Sequence, residues 1–258
     1  MNLRFGPAGL GPVKTAIKVL EDYNKKGIKA CEIAFTYSVY IKEGDAIIIG
    51  KKAKELDIEL SIHAPYFVNL NSSEKIKIEA TKKRILDCCR IGEKLGAKIV
   101  VFHPGYYGTH KAGAYNNIKK GIIEIMLEVK KNNWSIKIAP ETMGKVNVFG
   151  SVEEISSLVK DTSCSFCIDF AHILARDKEV DYKKVIELFP SKDWHVHFSG
   201  IVYSEKGEKH HKKTLNSEWK ELLKNLPKDK NVRIINESPV MLEDSLEGMG
   251  IAKGLGLS

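Results

Sequence analysis

Eight short apolar runs recur along this chain, separated by stretches of helical pattern. The runs read LRFGPAG (3–9), IKACEIAF (28–35), DIELSIHAP (57–65), AKIVVFHPG (97–105), IKIAPET (136–142), CSFCIDF (164–170), DWHVHFSG (193–200) and VRIINESP (232–239). Their starts lie 25 to 40 residues apart, which leaves room for one strand and one crossover helix each time. The intervening segments support helices. VKTAIKVLEDYNKKG sets Val13, Ile17 and Leu20 on one face and stops at Gly27. Residues 74–96 and 116–133 are long and amphipathic, and 216–226 has a similar character. Ser151 followed by Glu154 has capping-box spacing.

Eight such repeats in 258 residues predict an α/β chain: one (β/α)8 TIM barrel, a single domain over 1–258. A doubly wound open sheet is the rival. Its glycine-rich first turn has no counterpart, since GPAGLGP lacks the GxGxxG spacing. Hydrophobic content of 43% is ample for one large core.

Net charge is +8. That balance fits an anionic partner, nucleic acid first, or equally a lysine surface laced with salt bridges. The five cysteines form no zinc-ribbon spacing and read as buried free thiols in a reducing compartment. The start, MNLRFGPAGLGP, has no apolar leader core, and no apolar run approaches the length of a membrane span. A cytoplasmic protein with no membrane contact is expected.

Position is the informative feature. His63, His103, Glu141, Asp169, His197 and Glu237 all stand at the C-terminal ends of these runs, and His172 follows Asp169 by three residues. In a barrel those ends ring one mouth, where catalysis is built. Each residue has an ordinary reading: a hydrogen-bonded histidine, a helix cap at Asp169, a glutamate paired with lysine. All of these would have to hold together at successive strands. Unpaired carboxylates and imidazoles crowded there would be costly, and metal cations compensate them. For Asp169 and His172 to converge, the strand must end near Asp169 and turn.

The ordered motifs HAPYFVNL, FHPG, ETMGKVNVFG, CIDFAH, HFSG, EKHH and INESP resemble the endonuclease IV family of AP endonucleases, over residues 57 to 240. The resemblance implies three Zn²⁺ ions, although the ligand types also accept Mn²⁺. His63 and His103 would hold the first. Glu141 would bridge to a second, completed by Asp169, His197 and Glu237, with Glu141 and Glu237 also carried as catalytic. His172, His210 and Glu208 would hold the third, Glu208 standing where the family typically has Asp. The implied reaction is hydrolysis of the phosphodiester 5′ to an abasic site in duplex DNA. It leaves a 3′-hydroxyl and a 5′-deoxyribose phosphate. Tyr66 and Phe67, in the loop after His63, would enter the minor groove. The resemblance also implies a monomer.

This sequence departs from the family in two further places. TYSVYIK (36–42) supplies tyrosines where the family has a probing arginine, and Ser199-Gly200 replaces a polar pair. Lys206, Lys209, Lys212 and Lys213 could meet phosphates or only water. A rival within the same superfamily is a single-metal sugar isomerase or epimerase using Glu141, Asp169, His197 and Glu237. A non-catalytic binder of damaged DNA is a third reading. Within HVHFSGIVYSEKGEKHH (195–211), His195 is expected one layer below His197, supporting rather than ligating. His211 is expected to point away from His210.

Overall fold

The structure is a computed structural model describing residues 2–108 and 111–257. Eight parallel strands alternate with helices around one axis. In chain order they are β1 (Asn2–Pro7), β2 (Ala30–Ala34), β3 (Glu59–His63), β4 (Ile99–Phe102), β5 (Lys137–Pro140), β6 (Cys167–Asp169), β7 (Asp193–Phe198) and β10 (Asn231–Asn236). Between the last two, β8 (Gly200–Ser204) and β9 (Gly207–Lys212) form an antiparallel hairpin above the barrel strands. The nine α-helices of the described residues are α1 (Ala16–Lys25), α2 (Glu43–Glu55), α3 (Lys75–Leu95), α4 (Lys111–Lys131), α5 (Val152–Thr162), α6 (Phe170–Asp177), α7 (Tyr182–Leu188), α8 (Asn216–Asn225) and α9 (Met241–Gly254). None is long and apolar enough to cross a membrane.

Two four-stranded arcs, ordered β1-β10-β7-β6 and β2-β3-β4-β5, meet at two seams. At one, Glu141 bridges in parallel to Cys167, and Ser165 N donates to the Ile138 carbonyl at 2.9 Å. At the other, Lys29 N donates to the Phe5 carbonyl at 3.1 Å. The expected (β/α)8 barrel is therefore what the chain builds, and all eight apolar runs supply its strands.

Local chemistry sets the element ends as expected in places. Ser151 Oγ accepts from Glu154 N while the Glu154 carboxylate accepts from Ser151 N, a complete capping box on α5. Gly96 closes α3 in the left-handed region, with φ of 65°. Residues 246–254 of the glycine-rich C-terminal stretch, which has no reading from sequence, make up the second part of α9. Leu242, Leu246 and Met249 of α9 pack on the core, and its buried Asp244 accepts from Thr214 N at 2.7 Å. All five cysteines are free and buried.

The barrel interior is not wholly apolar. Near its N-terminal end, Arg4 of β1 and Arg233 of β10 both bind Glu59 of β3. One layer up, Glu32 of β2 reaches across to His195 of β7. Side chains of non-adjacent strands can meet only through the lumen, so these contacts fix which residues face inward.

The β1–β2 seam depends on Gly6. A β-carbon there would sit 1.7 Å from the Ala30 carbonyl oxygen, a backbone atom that cannot step aside. Gly6→Ala should lower unfolding stability by at least about 1–3 kcal/mol, as other overpacked sites do. Gly250, in α9 with open space around it, is the control: Gly250→Ala should raise stability by about 0.5–1 kcal/mol. Denaturant unfolding of both variants measures this; a Gly6→Ala protein as stable as the parent would show that the seam is not so tightly closed.

Candidate metal centre

The strand ends bring three ligand groups to one mouth. In the first, His63 Nε2 and His103 Nε2 lie 3.3 and 3.1 Å from Glu141 Oε2. In the second, His197 Nδ1 lies 3.0 Å from Glu141 Oε1 and 3.4 Å from Glu237 Oε2, with Asp169 alongside. In the third, His172 Nε2 lies 3.5 Å from Glu208 Oε2, with His211 completing the set. Within each group the candidate donor atoms all lie within 4.8 Å of one another. Glu141 belongs to the first two groups, one oxygen turned to each.

Parallel register explains the convergence. Asp169 is the register partner of His197, and Cys167 that of His195, so upper and lower layers alternate along β6 and β7. β6 ends at Asp169, which caps α6: Asp169 Oδ1 accepts from His172 N at 2.7 Å. The turn this imposes carries His172 to the mouth. The ordinary reading of Asp169 as a cap and its reading as a ligand coexist, because the cap uses one oxygen only.

The residues fit cations on several counts. The second oxygen of Asp169 is buried and has no hydrogen-bond partner. Two histidines are tied through Nδ1 to backbone carbonyls: His63 to Ala64 at 2.8 Å and His172 to Thr142 at 3.0 Å, the latter nitrogen also lying 3.5 Å from Glu141 and 3.4 Å from Asp169 while Nε2 faces Glu208. Such contacts fix the tautomer that leaves Nε2 a lone pair. Ser199 Oγ likewise holds His211 Nδ1. Gly144 leaves room beside the third group, where a β-carbon would come 2.8 Å from Glu208 Cβ and 3.0 Å from His172 Cδ2.

Without cations, protons balance the charge. Burial disfavours the His63 imidazolium, but Glu141 and the neighbouring Glu32 and Glu237 outweigh it and push the group up to about 9. Burial likewise opposes the charge on His172, and Asp169, Glu141 and Glu208 raise it to about 9. Burial works against the charge on His197 too, yet Cys167 and the carboxylates of Glu237, Glu32 and Glu141 hold it well above the usual range. Burial would raise the Glu141 and Glu237 carboxyls; His197 above all outweighs it, holding Glu141 well below the carboxylate range and Glu237 at about 2. Asp169 goes the other way, raised by burial and by Glu141 and Glu237, with His172 opposing.

One sequence expectation needs correction. His211, not His210, joins His172 and Glu208. The cause is a bulge in the hairpin: Val202 pairs with His210 but Tyr203 with Glu208, so Lys209 is an extra residue. The bulge shifts the alternation by one, putting Glu208 and His211 on one face and exposing His210. Glu32 escaped the sequence reading altogether. A charged residue in the middle of the apolar run IKACEIAF was the available signal. His195 is buried below His197, the layer expected for it.

Above the ligands opens a cavity of about 430 Å³, lined among others by Tyr66, Tyr106, Lys145, Glu208, His211 and Glu237. Lys145, unremarked in the sequence, is the one lysine or arginine in its wall among the described residues. Tyr66 is 56% and Phe67 61% exposed at the rim, and Phe67 lies 6.2 Å from the equally prominent Tyr37. Lys212 and Lys213 are paired with Glu218 and Glu247.

The class defined by these features is a parallel (β/α)8 barrel with candidate metal-binding histidines and carboxylates massed at its C-terminal mouth. Residues 20–248 match the model of the xylose isomerase-like TIM barrel family, and the chain belongs to that family. An uncharacterized protein, MJ0133, of Methanocaldococcus jannaschii is 36% identical over 95% of this chain and 94% of its own. A probable endonuclease 4 of Exiguobacterium sibiricum is 35% identical, over 45% of this chain and 40% of that protein. Among solved structures, endonuclease IV from Thermus thermophilus superposes with a TM-score of 0.73 at 19% identity, covering 100% of both chains. A D-tagatose 3-epimerase-like protein gives 0.73 at 22% identity, over 98% of this chain and 96% of its own. These two structures show a common fold.

The protonated histidines give a direct test. A metal ion binds neutral imidazole, so zinc added to metal-free protein at pH 7 should expel protons from His63, His172 and His197. The release should shrink as pH rises through 9, where His63 and His172 lose their protons unaided. The same raised values stabilise the metal-free fold below pH 6.5 and cease to do so as pH rises through 9. Indicator-dye titration in weak buffer measures the release; zinc uptake without it would show the imidazoles already neutral.

Proposed function

We propose that this protein is a zinc-dependent AP endonuclease. The reading is hydrolysis of the phosphodiester 5′ to an abasic site in duplex DNA, leaving a 3′-hydroxyl and a 5′-deoxyribose phosphate, by one barrel domain acting as a monomer. The observation that carries it is the third ligand group, His172, Glu208 and His211, set beside two groups that share Glu141. A single-metal barrel has no use for it. The aligned segment of the endonuclease 4 relative adds support.

His63, His103 and Glu141 would hold one ion. Glu141, Asp169, His197 and Glu237 would hold the second, and His172, Glu208 and His211 the third. Bound there, zinc would supply an acidified water as nucleophile and neutralise phosphate and leaving-group charge. The protein's own part is placement. Glu237 reaches the cavity wall and stays a carboxylate, since His197 holds it at about 2, so it accepts hydrogen bonds and cannot donate a proton. Lys145 stands where a backbone phosphate would enter. Tyr66 and Phe67 present the apolar surface that fills the gap left by a missing base.

A sugar epimerase is the second reading, favoured by the likeness to the D-tagatose 3-epimerase-like structure. It would use the four inner ligands alone. Metal counted per chain, with incision of a duplex carrying one abasic site, separates the two. About three zincs and a cut strand are expected for a multi-metal phosphodiesterase; one ion and an uncut duplex would favour the epimerase.

Two sets of variants refine this. Glu208→Ala and His211→Ala should each lose the same one ion, and His210→Ala none; loss of zinc on His210→Ala would overturn the hairpin assignment. Phe67→Ala should weaken binding of abasic duplex by about 1–3 kcal/mol with zinc content unchanged, measured by fluorescence anisotropy. Equal affinity would remove the aromatic wedge.

A further inference from the structure

Glu32 lies on β2 beneath the ligand groups, fully buried and outside all three of them. Its Oε2 is fully engaged: Ser61 Oγ donates at 2.8 Å, and His195 Nε2 stands at 2.8 Å. Its Oε1 lies 2.9 Å from His197 Nε2. As placed, these two atoms make no directed hydrogen bond, and neither has another partner. Two buried polar atoms left unsatisfied at contact distance are costly.

The opposite nitrogen of His197 resolves this. Nδ1 faces Glu141 and Glu237, at 3.0 and 3.4 Å. A neutral imidazole carries one proton. When Nδ1 gives its lone pair to a cation, that proton must sit on Nε2, the nitrogen 2.9 Å from Glu32 Oε1. We propose that Glu32 is a positioning residue that holds His197 in the Nε2–H tautomer and strengthens Nδ1 as a ligand to the inner ion. Ser61 and His195 pin the other carboxylate oxygen, so Oε1 cannot swing away. The negative charge of Glu32 acts through the ring, as outer carboxylates do behind other metal-binding histidines. The inference rests on the reading that Glu141, Asp169, His197 and Glu237 hold an ion; it does not require that the substrate be DNA.

The test uses zinc and the whole chain. In ¹⁵N-imidazole-labelled, zinc-loaded protein, long-range ¹H–¹⁵N correlation should show His197 protonated at Nε2 and zinc-bound at Nδ1. Glu32→Gln, which removes the charge and keeps the shape, should weaken one zinc by about 10–100-fold in chelator competition and leave the others unchanged. A proton on Nδ1 of His197, or parental affinity for every zinc in Glu32→Gln, overturns the proposal. Should Glu32→Gln fail to fold, Ser61→Ala loosens the same carboxylate and should weaken the same zinc, while the tautomer of the unaltered protein still decides. Zinc bound with the Nε2–H tautomer but no incision of abasic duplex overturns the nuclease reading alone. Incision together with an indifferent Glu32→Gln overturns the Glu32 assignment alone.

Discussion

The Glu141 carboxylate is the constraint around which this barrel is arranged. It is fully buried at the seam where β5 meets β6. Desolvating such an ion costs several kcal/mol, which no apolar neighbour can return. The compensation comes from four successive parts of the barrel mouth: His63, His103, His172 and His197 all stand within 3.5 Å of its two oxygens. Two of those rings, His63 and His172, are in turn steered by backbone carbonyl oxygens. Removing the carboxylate would leave several imidazolium charges without a counter-charge. Removing one histidine would leave a carboxylate oxygen underpaired. The site is therefore cooperative, and its members specify one another's protonation.

The same logic runs down the axis. A barrel lumen is ordinarily filled by branched apolar side chains. Here ionic and hydrogen-bonded layers alternate with the apolar packing. Arg4, Arg233 and Glu59 close the bottom, Glu32, Ser61 and His195 occupy the middle, and the ligand groups form the top. The helices carry the apolar share of stability, through a shell of residues such as Leu20, Ile85, Ile122 and Trp219. This division lets the lumen be polar without dissolving the fold. It also places a charged layer directly under the site, where low dielectric makes it act on the ligands strongly.

Much of this was legible in the sequence because strand ends are marked twice, by the end of an apolar run and by a polar residue at that end. His63, Asp169, His197 and Glu237 carry both marks. The errors have physical causes. His211 rather than His210 joins the third group because one bulged residue, Lys209, reverses the alternation, and nothing in GEKHH announces a bulge. Glu32 was hidden because its partners, Ser61, His195 and His197, come from strands far apart in sequence; only closure of the barrel brings them together. α9 was unreadable because Gly248, Gly250 and Gly254 depress helix propensity, while its packing against β1 and α8 overrides that preference.

The division of the ligands between scaffold and insertion bears on what the fold can do. The two groups sharing Glu141 are supplied by strand ends and the turns just after them, positions any barrel of this family can fill. The outer group draws His172 from the cap of α6 but Glu208 and His211 from the β8–β9 hairpin, an addition to the (β/α)8 plan. Lys145, on the neighbouring loop, bridges to the same hairpin at Gly207, so the outer ligands and the cavity's cation are mechanically one unit. Arg176 locks that loop from below, donating to the carbonyls of Lys145 and Val148 at 2.7 and 2.9 Å. A substrate neutral over its whole length would gain little from this unit. A polyanion would gain charge neutralisation just beyond the inner centre. On the proposed reading, the hairpin, more than the barrel, would be the part of the molecule that separates phosphodiester chemistry from sugar chemistry on a shared scaffold.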